Sequence, residues 1–134
     1  MAENQKTWLY LRAGTKQDME SQKARLMDFA KEAGYEVTDV AADYPPSWSS
    51  MNLARLAAAS QDYEVLLVSS WKRLGTDLFE MIDTMTFLKD HGVTVRSADE
   101  RDVSLEEALS IAQIAAILQL TNEPPPENPD ESES

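Results

Sequence analysis

Two arginines, Arg12 and Arg73, are the residues of this chain best suited to bind a phosphate group. Arg12 lies near the end of the hydrophobic segment Thr7–Ala13, and Arg73 follows the hydrophobic segment Glu64–Ser70. A guanidinium group is planar and can donate two parallel hydrogen bonds to a phosphate. Arginines at strand ends are also commonly solvated or paired with acids, which are abundant here. Phosphate binding and ion pairing are therefore both open interpretations of these two residues.

Several other kinds of catalytic site are not indicated. Ser47, Ser49 and Ser50 cluster in one segment, but the single histidine, His91, is remote and no catalytic triad is recognisable. His91 also lacks a metal-ligand companion at useful spacing. The chain has no cysteine, and its four glycines do not form a phosphate-binding loop. We expect no metal and no cofactor.

Hydrophobic segments of strand and helix character alternate along the chain. Gly34 and the pair Pro45 and Pro46 interrupt this pattern where a helix or a strand must end. The alternation predicts an α/β fold, a doubly wound and mainly parallel sheet of roughly four to five strands with helices on both faces. The predicted strands are Thr7–Ala13, Tyr35–Val40, Glu64–Ser70 and Val93–Ser97, and the predicted helices are Met19–Ala33, Leu53–Ala59, one within Leu74–Asp90, and Ser104–Leu120.

The candidate functional edge of this sheet follows from its topology. Ligands of doubly wound sheets bind beyond the carboxyl ends of the strands. That rule selects three connections, Arg12–Asp18, Asp43–Ser50 and Ser69–Asp77. We therefore expect Arg12 and Arg73 to lie on the same side of the sheet.

The residues of these connections resemble a known family. The segment Tyr10–Gln17 (YLRAGTKQ), followed by Ser21 and Gln22, resembles the opening of the catalytic domain of the serine recombinases, which include resolvases and invertases. The segment Val65–Asp77 (VLLVSSWKRLGTD) resembles the third strand of that family and its arginine motif, and His91–Val93 matches the start of the next strand. The resemblance covers about residues 7–119. It implies a resolvase-like fold of flavodoxin-like topology and, for intact members, site-specific DNA recombination.

The resemblance also places the family's active-site positions on this chain. The nucleophilic serine falls on Gly14, which has no side chain and cannot form a covalent link to DNA. Arg12 and Arg73 fall on family arginines. Two further arginines are missing, because residues 49–52 contain none and Thr76 occupies the other position.

Three more positions match polar residues of the family. Thr15 is a conceivable substitute nucleophile, although the family also has a threonine beside its working serine. Gln17 matches a family glutamine, and Asp77 matches a family acid that the dipole of the following helix would also explain. The predicted vestigial phosphate site thus consists of Arg12, Thr15, Gln17, Arg73 and Asp77 around Gly14.

These departures predict a resolvase-like protein that is catalytically inactive and acts as a binding or regulatory module. The alternative is an active recombinase, or a phosphoryl-transfer relative, that works through Thr15 or a second subunit. A small-anion binder using Arg12 and Arg73 is a third hypothesis. If both guanidinium groups converge near Gly14, a phosphate site has survived. If they instead form separate salt bridges, the chain has kept the family's fold without that site.

The net charge and the hydrophobic pattern limit the partners that this chain could bind. The formal charge is −12, of which residues 121–134 hold five acids and no base. We predict a domain over residues 1–120, a disordered acidic tail over 121–134, little binding of DNA by the domain alone, and a cytoplasmic protein without a membrane segment. Self-association or a protein partner is expected, through Ile111, Ala115 and Leu118 on the last helix or through the tryptophans Trp48 and Trp71.

Overall fold

Four parallel strands alternate with four helices, which confirms the predicted α/β fold. A computed structural model describes residues 5–122. A short helical turn over Trp71–Leu74 leads from the third strand toward the third helix. The elements are β1 (Lys6–Arg12), α1 (Lys16–Ala33), β2 (Glu36–Asp43), α2 (Ser49–Ala59), β3 (Val65–Val68), α3 (Leu78–Asp90), β4 (Thr94–Ser97) and α4 (Leu105–Asn122).

The strand order is β2-β1-β3-β4, so β1 and β3 are the central strands. From β1 the chain moves outward to β2, then crosses back to place β3 on the other side of β1. The direction of winding therefore reverses between the carboxyl ends of β1 and β3. Such a switch point leaves a crevice, because the connections that follow the two strands leave toward opposite faces.

The two central strands are buried on both faces of the sheet. Leu9 and Leu67 belong to the core beneath α1, whereas Tyr10 and Leu66 belong to the core beneath α2, α3 and α4. All four residues of β3 are buried. A strand covered on both faces reads as a continuous apolar run rather than an alternating one, as the segment Val65–Val68 does.

Helix α2 begins at Ser49, four residues before the start predicted from the sequence. The cause is Asp43, at the end of β2, whose carboxylate accepts hydrogen bonds from the backbone N–H groups of Ser50 and Met51, each at 2.9 Å. These are first-turn N–H groups that have no acceptor within the helix. A carboxylate supplied by a neighbouring strand thus extends the helix into a segment whose local sequence favours a loop.

Helix α4 begins behind a capping box, as predicted, since Ser104 and Glu107 exchange hydrogen bonds between side chain and backbone. It runs to Asn122, two residues past the predicted domain boundary. The predicted disordered tail from residue 123 onward lies outside the described residues. Within residues 5–122, no helix is both long and apolar enough to cross a bilayer.

Candidate phosphate-binding cleft

A cleft of about 430 Å³ lies at the switch point between the ends of β1 and β3. It brings together four of the positions singled out from the sequence: Arg12, Gly14, Arg73 and Asp77. Thr15 and Gln17, which were predicted with them, do not line it. The full lining is Arg12, Ala13, Gly14, Pro45, Lys72, Arg73, Gly75, Thr76, Asp77, Leu78 and Met81.

Arg12 is a buried cation without an anionic partner. Only 5% of the Arg12 surface is exposed to solvent. Neither Nη1 nor Nη2 meets the distance and angle criteria for a hydrogen bond to any of residues 5–122. No carboxylate in that part of the chain lies within 4.0 Å of its guanidinium. The guanidinium carbon lies 4.1 Å from the centre of the Trp48 ring, a cation–π contact. Trp48 offers no hydrogen-bond acceptor to the guanidinium, and the Tyr10 hydroxyl is a further polar neighbour of Arg12.

Gln22 fixes the backbone of Arg12, a role that the sequence did not reveal. Its Nε2 donates to the carbonyl oxygen of Arg12 at 2.9 Å, and its Oε1 accepts from the backbone N–H of Arg12 at 3.2 Å. The amide therefore pairs with both backbone groups of the last residue of β1. Gln22 matches a family position, but its role becomes clear only from its contact with Arg12 in the folded chain.

Arg73 converges on the same place. Its Nη1 donates to the carbonyl oxygen of Arg12 at 3.0 Å, while its Nη2 lies 3.6 Å from Oδ2 of Asp18. Its Nε is buried without a partner among the described residues. Arg73 is therefore partly paired with an acid, yet it is held against Arg12 rather than directed away from it.

Gly14 is exposed, and its backbone does not require a glycine. A Cβ built at this position meets no heavy atom within 4 Å, and its φ is not in the left-handed region. Gly75, on the other wall of the cleft, differs, because a Cβ there would lie 2.5 Å from the backbone nitrogen of Met81. The fold thus needs the glycine at position 75 but would accept a serine at position 14.

Two of the remaining polar candidates serve as helix caps. The Thr15 hydroxyl accepts from the backbone N–H of Asp18 at 3.0 Å, and the Asp77 carboxylate accepts from that of Glu80 at 2.9 Å. The Thr76 hydroxyl donates to the Glu80 carboxylate. Gln17 is exposed on α1, outside the cleft. These contacts give Thr15 and Asp77 structural roles at the starts of α1 and α3.

Next to the cleft, Tyr10 and Asp43 form a buried pair. The Tyr10 hydroxyl donates to Oδ2 of Asp43 at 2.9 Å, and both residues are almost fully buried. Burial raises the pKa of the Tyr10 hydroxyl well above its ordinary value, and the hydrogen bond to the Asp43 carboxylate raises it further. The charged neighbour Arg12 acts in the opposite direction but does not prevail.

This pair predicts a loss of stability in alkali. Above pH 10, the tyrosine of the unfolded chain releases its proton while Tyr10 of the folded chain keeps it. The folded state then binds more protons than the unfolded state, so the free energy of unfolding falls as pH rises. Denaturant titrations from pH 8 to 11 measure this slope. Tyr10→Phe should make the slope smaller without removing it, because burial raises the pKa of Tyr63 as well. An unaltered slope in Tyr10→Phe would contradict the assignment.

Two other residues named from the sequence lie elsewhere. Trp71 is only 7% exposed and packs in the core, so it does not present a free surface for a partner. His91 follows the last residue of α3, where its Nδ1 lies 2.8 Å from the Phe87 carbonyl oxygen and its ring lies tilted against the Phe87 ring. Over residues 5–122, His, Asp and Glu side chains form no group that could hold a metal ion.

Comparison with known proteins supports this fold. The family model described as the resolvase N-terminal domain matches residues 7–122. A resolvase family site-specific recombinase from Streptococcus pneumoniae has 20% identity and a TM-score of 0.77, over 89% of this chain and 90% of its own. The N-terminal catalytic domain of TP901-1 integrase has 19% identity and a TM-score of 0.73, over 88% of this chain and 97% of its own.

A third solved structure, the C-terminal catalytic domain of ISC1926 TnpA, an IS607-like serine recombinase, has 19% identity and a TM-score of 0.63. It covers 87% of this chain and 82% of its own. A search of curated protein sequences found no significant match. At these identities the solved structures support the fold, and the family model spans nearly all of the described residues. The chain belongs to the resolvase N-terminal domain family.

Proposed function

We propose that this resolvase-family domain does not cleave DNA and instead acts as a binding module that pairs with a second copy of itself. The observation that carries the first half is Gly14. It lies in the cleft beside Arg12 and Arg73, where the family resemblance places the nucleophilic serine. A glycine there leaves the phosphate-binding groups without an attacking oxygen.

No neighbouring hydroxyl takes over this task in the described chain. Thr76 is the one residue of the cleft lining that carries an aliphatic hydroxyl, and it is bonded to Glu80. Thr15 caps helix α1 and is not part of the lining. Two positions that hold arginines in the family also lack one here, because residues 49–52 contain no arginine and Thr76 occupies the other position. The family's cleavage mechanism therefore lacks both its nucleophile and part of the positive charge that would stabilise the transition state.

The test is a search for a covalent protein–DNA adduct in cells that express the full chain. The chain is captured under denaturing conditions, and any DNA that remains attached is sequenced. We expect none from the unmodified chain. Gly14→Ser should fold with an unfolding free energy within about 1 kcal/mol of the unmodified chain, since the position is open. It should still form no adduct, because the missing arginines are not restored.

A DNA-linked form of the unmodified chain would overturn the proposal and favour the alternative, an active recombinase. Loss of that adduct in Thr15→Ala would then identify Thr15 as the substitute nucleophile. Persistence of the adduct in Thr15→Ala would point to a different residue or to a second subunit.

Helix α4 carries the second half of the proposal. Its small residues Ala108, Ala112 and Ala116 are buried against the domain. The opposite side of the helix is apolar as well, although it faces solvent. The large exposed residues of α4 are Ile111, Ile114, Ile117, Leu118 and Leu120, each between 53% and 61% exposed. A helix that is hydrophobic all round is normally covered on all sides.

A second copy of the chain is the partner that charge favours. From Ser110 to Asn122, helix α4 contains no charged residue, in a protein of net charge −12. Two identical acidic molecules repel each other least where neither presents charge. A two-fold contact of α4 with α4 would bury the same stripe on both copies.

Sedimentation velocity of the full chain over a hundredfold range of concentration tests this pairing. We expect the sedimentation coefficient to rise with concentration toward that of a dimer. A strict monomer throughout the range would overturn the proposed self-association, and it would leave the proposal on DNA cleavage unaffected.

A further inference from the structure

We infer that the outer edge of β4 binds an extended, acidic segment of another protein, which adds to the sheet beside β4. The surface is a cavity of about 400 Å³, with residues 92–96 on one wall and residues 101–106 on the other. This goes beyond the proposed function. It involves neither Gly14 nor the exposed residues of α4, so the two proposals succeed or fail separately.

The first argument is the open backbone of β4. This strand is the last in the order β2-β1-β3-β4, so within residues 5–122 it pairs only with β3. The backbone N–H of Thr94 donates to the Glu64 carbonyl oxygen and that of Ala98 to the Val68 carbonyl oxygen, each at 2.9 Å. Backbone groups of successive strand residues point in alternate directions, so those of Val95, which lines the cavity, point away from β3. The cavity therefore lies where a further strand would form its hydrogen bonds.

The second argument is the charge of the cavity. Three of the 12 Lys and Arg residues of the chain line it, Lys89, Arg96 and Arg101, against only two of its 24 acids, Asp102 and Glu106. In a protein of net charge −12, a surface where cations outnumber acids is an exception. An acidic partner meets attraction here and repulsion over most of the remaining surface.

Arg96 keeps its positive charge free for such a partner. No carboxylate among residues 5–122 lies within 4.0 Å of its guanidinium. Its Nη1 donates to the Tyr35 hydroxyl at 3.0 Å, and its guanidinium carbon lies 5.0 Å from the centre of the Phe29 ring. These two neutral contacts hold the guanidinium beside the edge of the sheet without neutralising it.

The third argument concerns the two faces that an added strand would present. Arg96 lies on the face covered by α1, where it contacts Phe29. Val95 lies on the opposite face, and its core includes the neighbouring residues Val93 and Val103 of the cavity wall. Side chains of a strand alternate between the two faces of a sheet. The segment that fits therefore alternates acidic residues, which lie beside Arg96, with apolar residues, which lie beside the valines.

Two other occupants fit this description poorly. A two-fold pairing of β4 with β4 of a second copy would bring the same cations together. Residues 123–134 of the chain itself are acidic, but they include no valine, isoleucine, leucine, methionine or aromatic residue. They also include four prolines, which have no N–H to donate to a ladder. A segment of a different protein is therefore the occupant that charge and pattern favour.

The experiment is a titration of a fluorescein-labelled peptide with the full chain, followed by fluorescence anisotropy. The peptide alternates glutamate and valine over about eight residues. We expect saturable binding. A peptide with lysine in place of glutamate should bind about tenfold more weakly or worse, and so should one of unchanged composition whose glutamates form a single block.

Two methylated peptides test whether the peptide forms a strand. One carries methyl groups on the backbone nitrogens of its valines, and the other on those of its glutamates. If the glutamates lie beside Arg96, only one of these two sets of N–H groups faces β4. We therefore expect one methylation to weaken binding about tenfold or more and the other to change it only a few-fold.

Variants of the chain locate the site. Arg96→Met should weaken binding of the alternating peptide about fivefold or more, and Arg25→Met is the matched control, because Arg25 is paired with Asp99 and does not line the cavity. Thr94→Glu adds an acid at an exposed position of the cavity wall and should weaken binding by a similar factor. It decides the question if denaturant unfolding shows that Arg96→Met does not fold.

Any one of four results would overturn the inference. The first is a lack of saturable binding, or equal binding of the lysine peptide. The second is an equal effect of the two methylations, which would exclude pairing with the edge of β4. The third is an affinity unchanged in Thr94→Glu. The fourth is displacement of the labelled peptide by a single-stranded oligonucleotide at a lower concentration than the unlabelled peptide requires, which would favour a nucleic acid as the partner.

Discussion

Replacing Ile114 and Leu118 by glutamate is expected to dissociate the proposed dimer. Both side chains are more than half exposed on α4 and lie four residues apart, on the side opposite the buried alanines. In a two-fold contact the double variant would place four carboxylates in an apolar interface. We expect the dissociation constant to rise by about a hundredfold or more, equivalent to roughly 3 kcal/mol. Sedimentation equilibrium measures the change.

The matched control is Gln113→Glu combined with Gln119→Glu. It adds the same charge to two exposed positions of the same helix, outside the stripe of Ile114 and Leu118. This control should retain association within a few-fold. If both double variants weakened association equally, added charge rather than the apolar stripe would be responsible, and the proposed interface would be wrong.

Replacing Asp43 by alanine is expected to give the largest loss of stability outside the apolar core. The Asp43 carboxylate is buried and accepts three hydrogen bonds, from the Tyr10 hydroxyl and from the backbone N–H groups of Ser50 and Met51. All three donors would lose their acceptor together. We expect the free energy of unfolding to fall by about 3 kcal/mol. Denaturant unfolding at fixed protein concentration measures it.

Asp39→Ala serves as the control for Asp43→Ala. Asp39 lies on the same strand, but it is exposed and its carboxylate accepts only from the backbone of Val40. Its replacement should change the unfolding free energy by less than about 0.5 kcal/mol. A similar small change in Asp43→Ala would mean that water replaces the carboxylate, so that β2 does not determine where α2 begins.

The sequence by itself determined the fold class and the edge of the sheet where a site belongs. Apolar periodicity and glycine or proline at the breaks are local properties, and they suffice to predict alternating strands and helices. The identity of residue 14 is equally local. A glycine lacks a hydroxyl wherever the chain carries it, and this alone removes the family's nucleophile from its expected place.

Residue boundaries were less predictable where distant residues set them. Helix α2 begins at Ser49 because the Asp43 carboxylate on β2 meets its first N–H groups. Strand β2 continues to Asp43 because it pairs with β1 as far as Arg12. Arg12 and Asp43 are far apart in the sequence, and although Asp43 is only seven and eight residues from Ser50 and Met51, neither contact follows from apolar periodicity.

Only the tertiary structure decided which polar residues form the cleft and which serve as caps. Arg12, Arg73 and Thr15 are all candidate site residues in the sequence, yet the fold brings the two arginines together and uses Thr15 to cap α1. The partner of a side chain depends on where the sheet places its neighbours. Two other contacts of Arg12 also depend on packing between separate elements: the stacking of its guanidinium on Trp48 and the hydrogen bonds of its backbone to Gln22. The order of residues in the sequence therefore could not predict them.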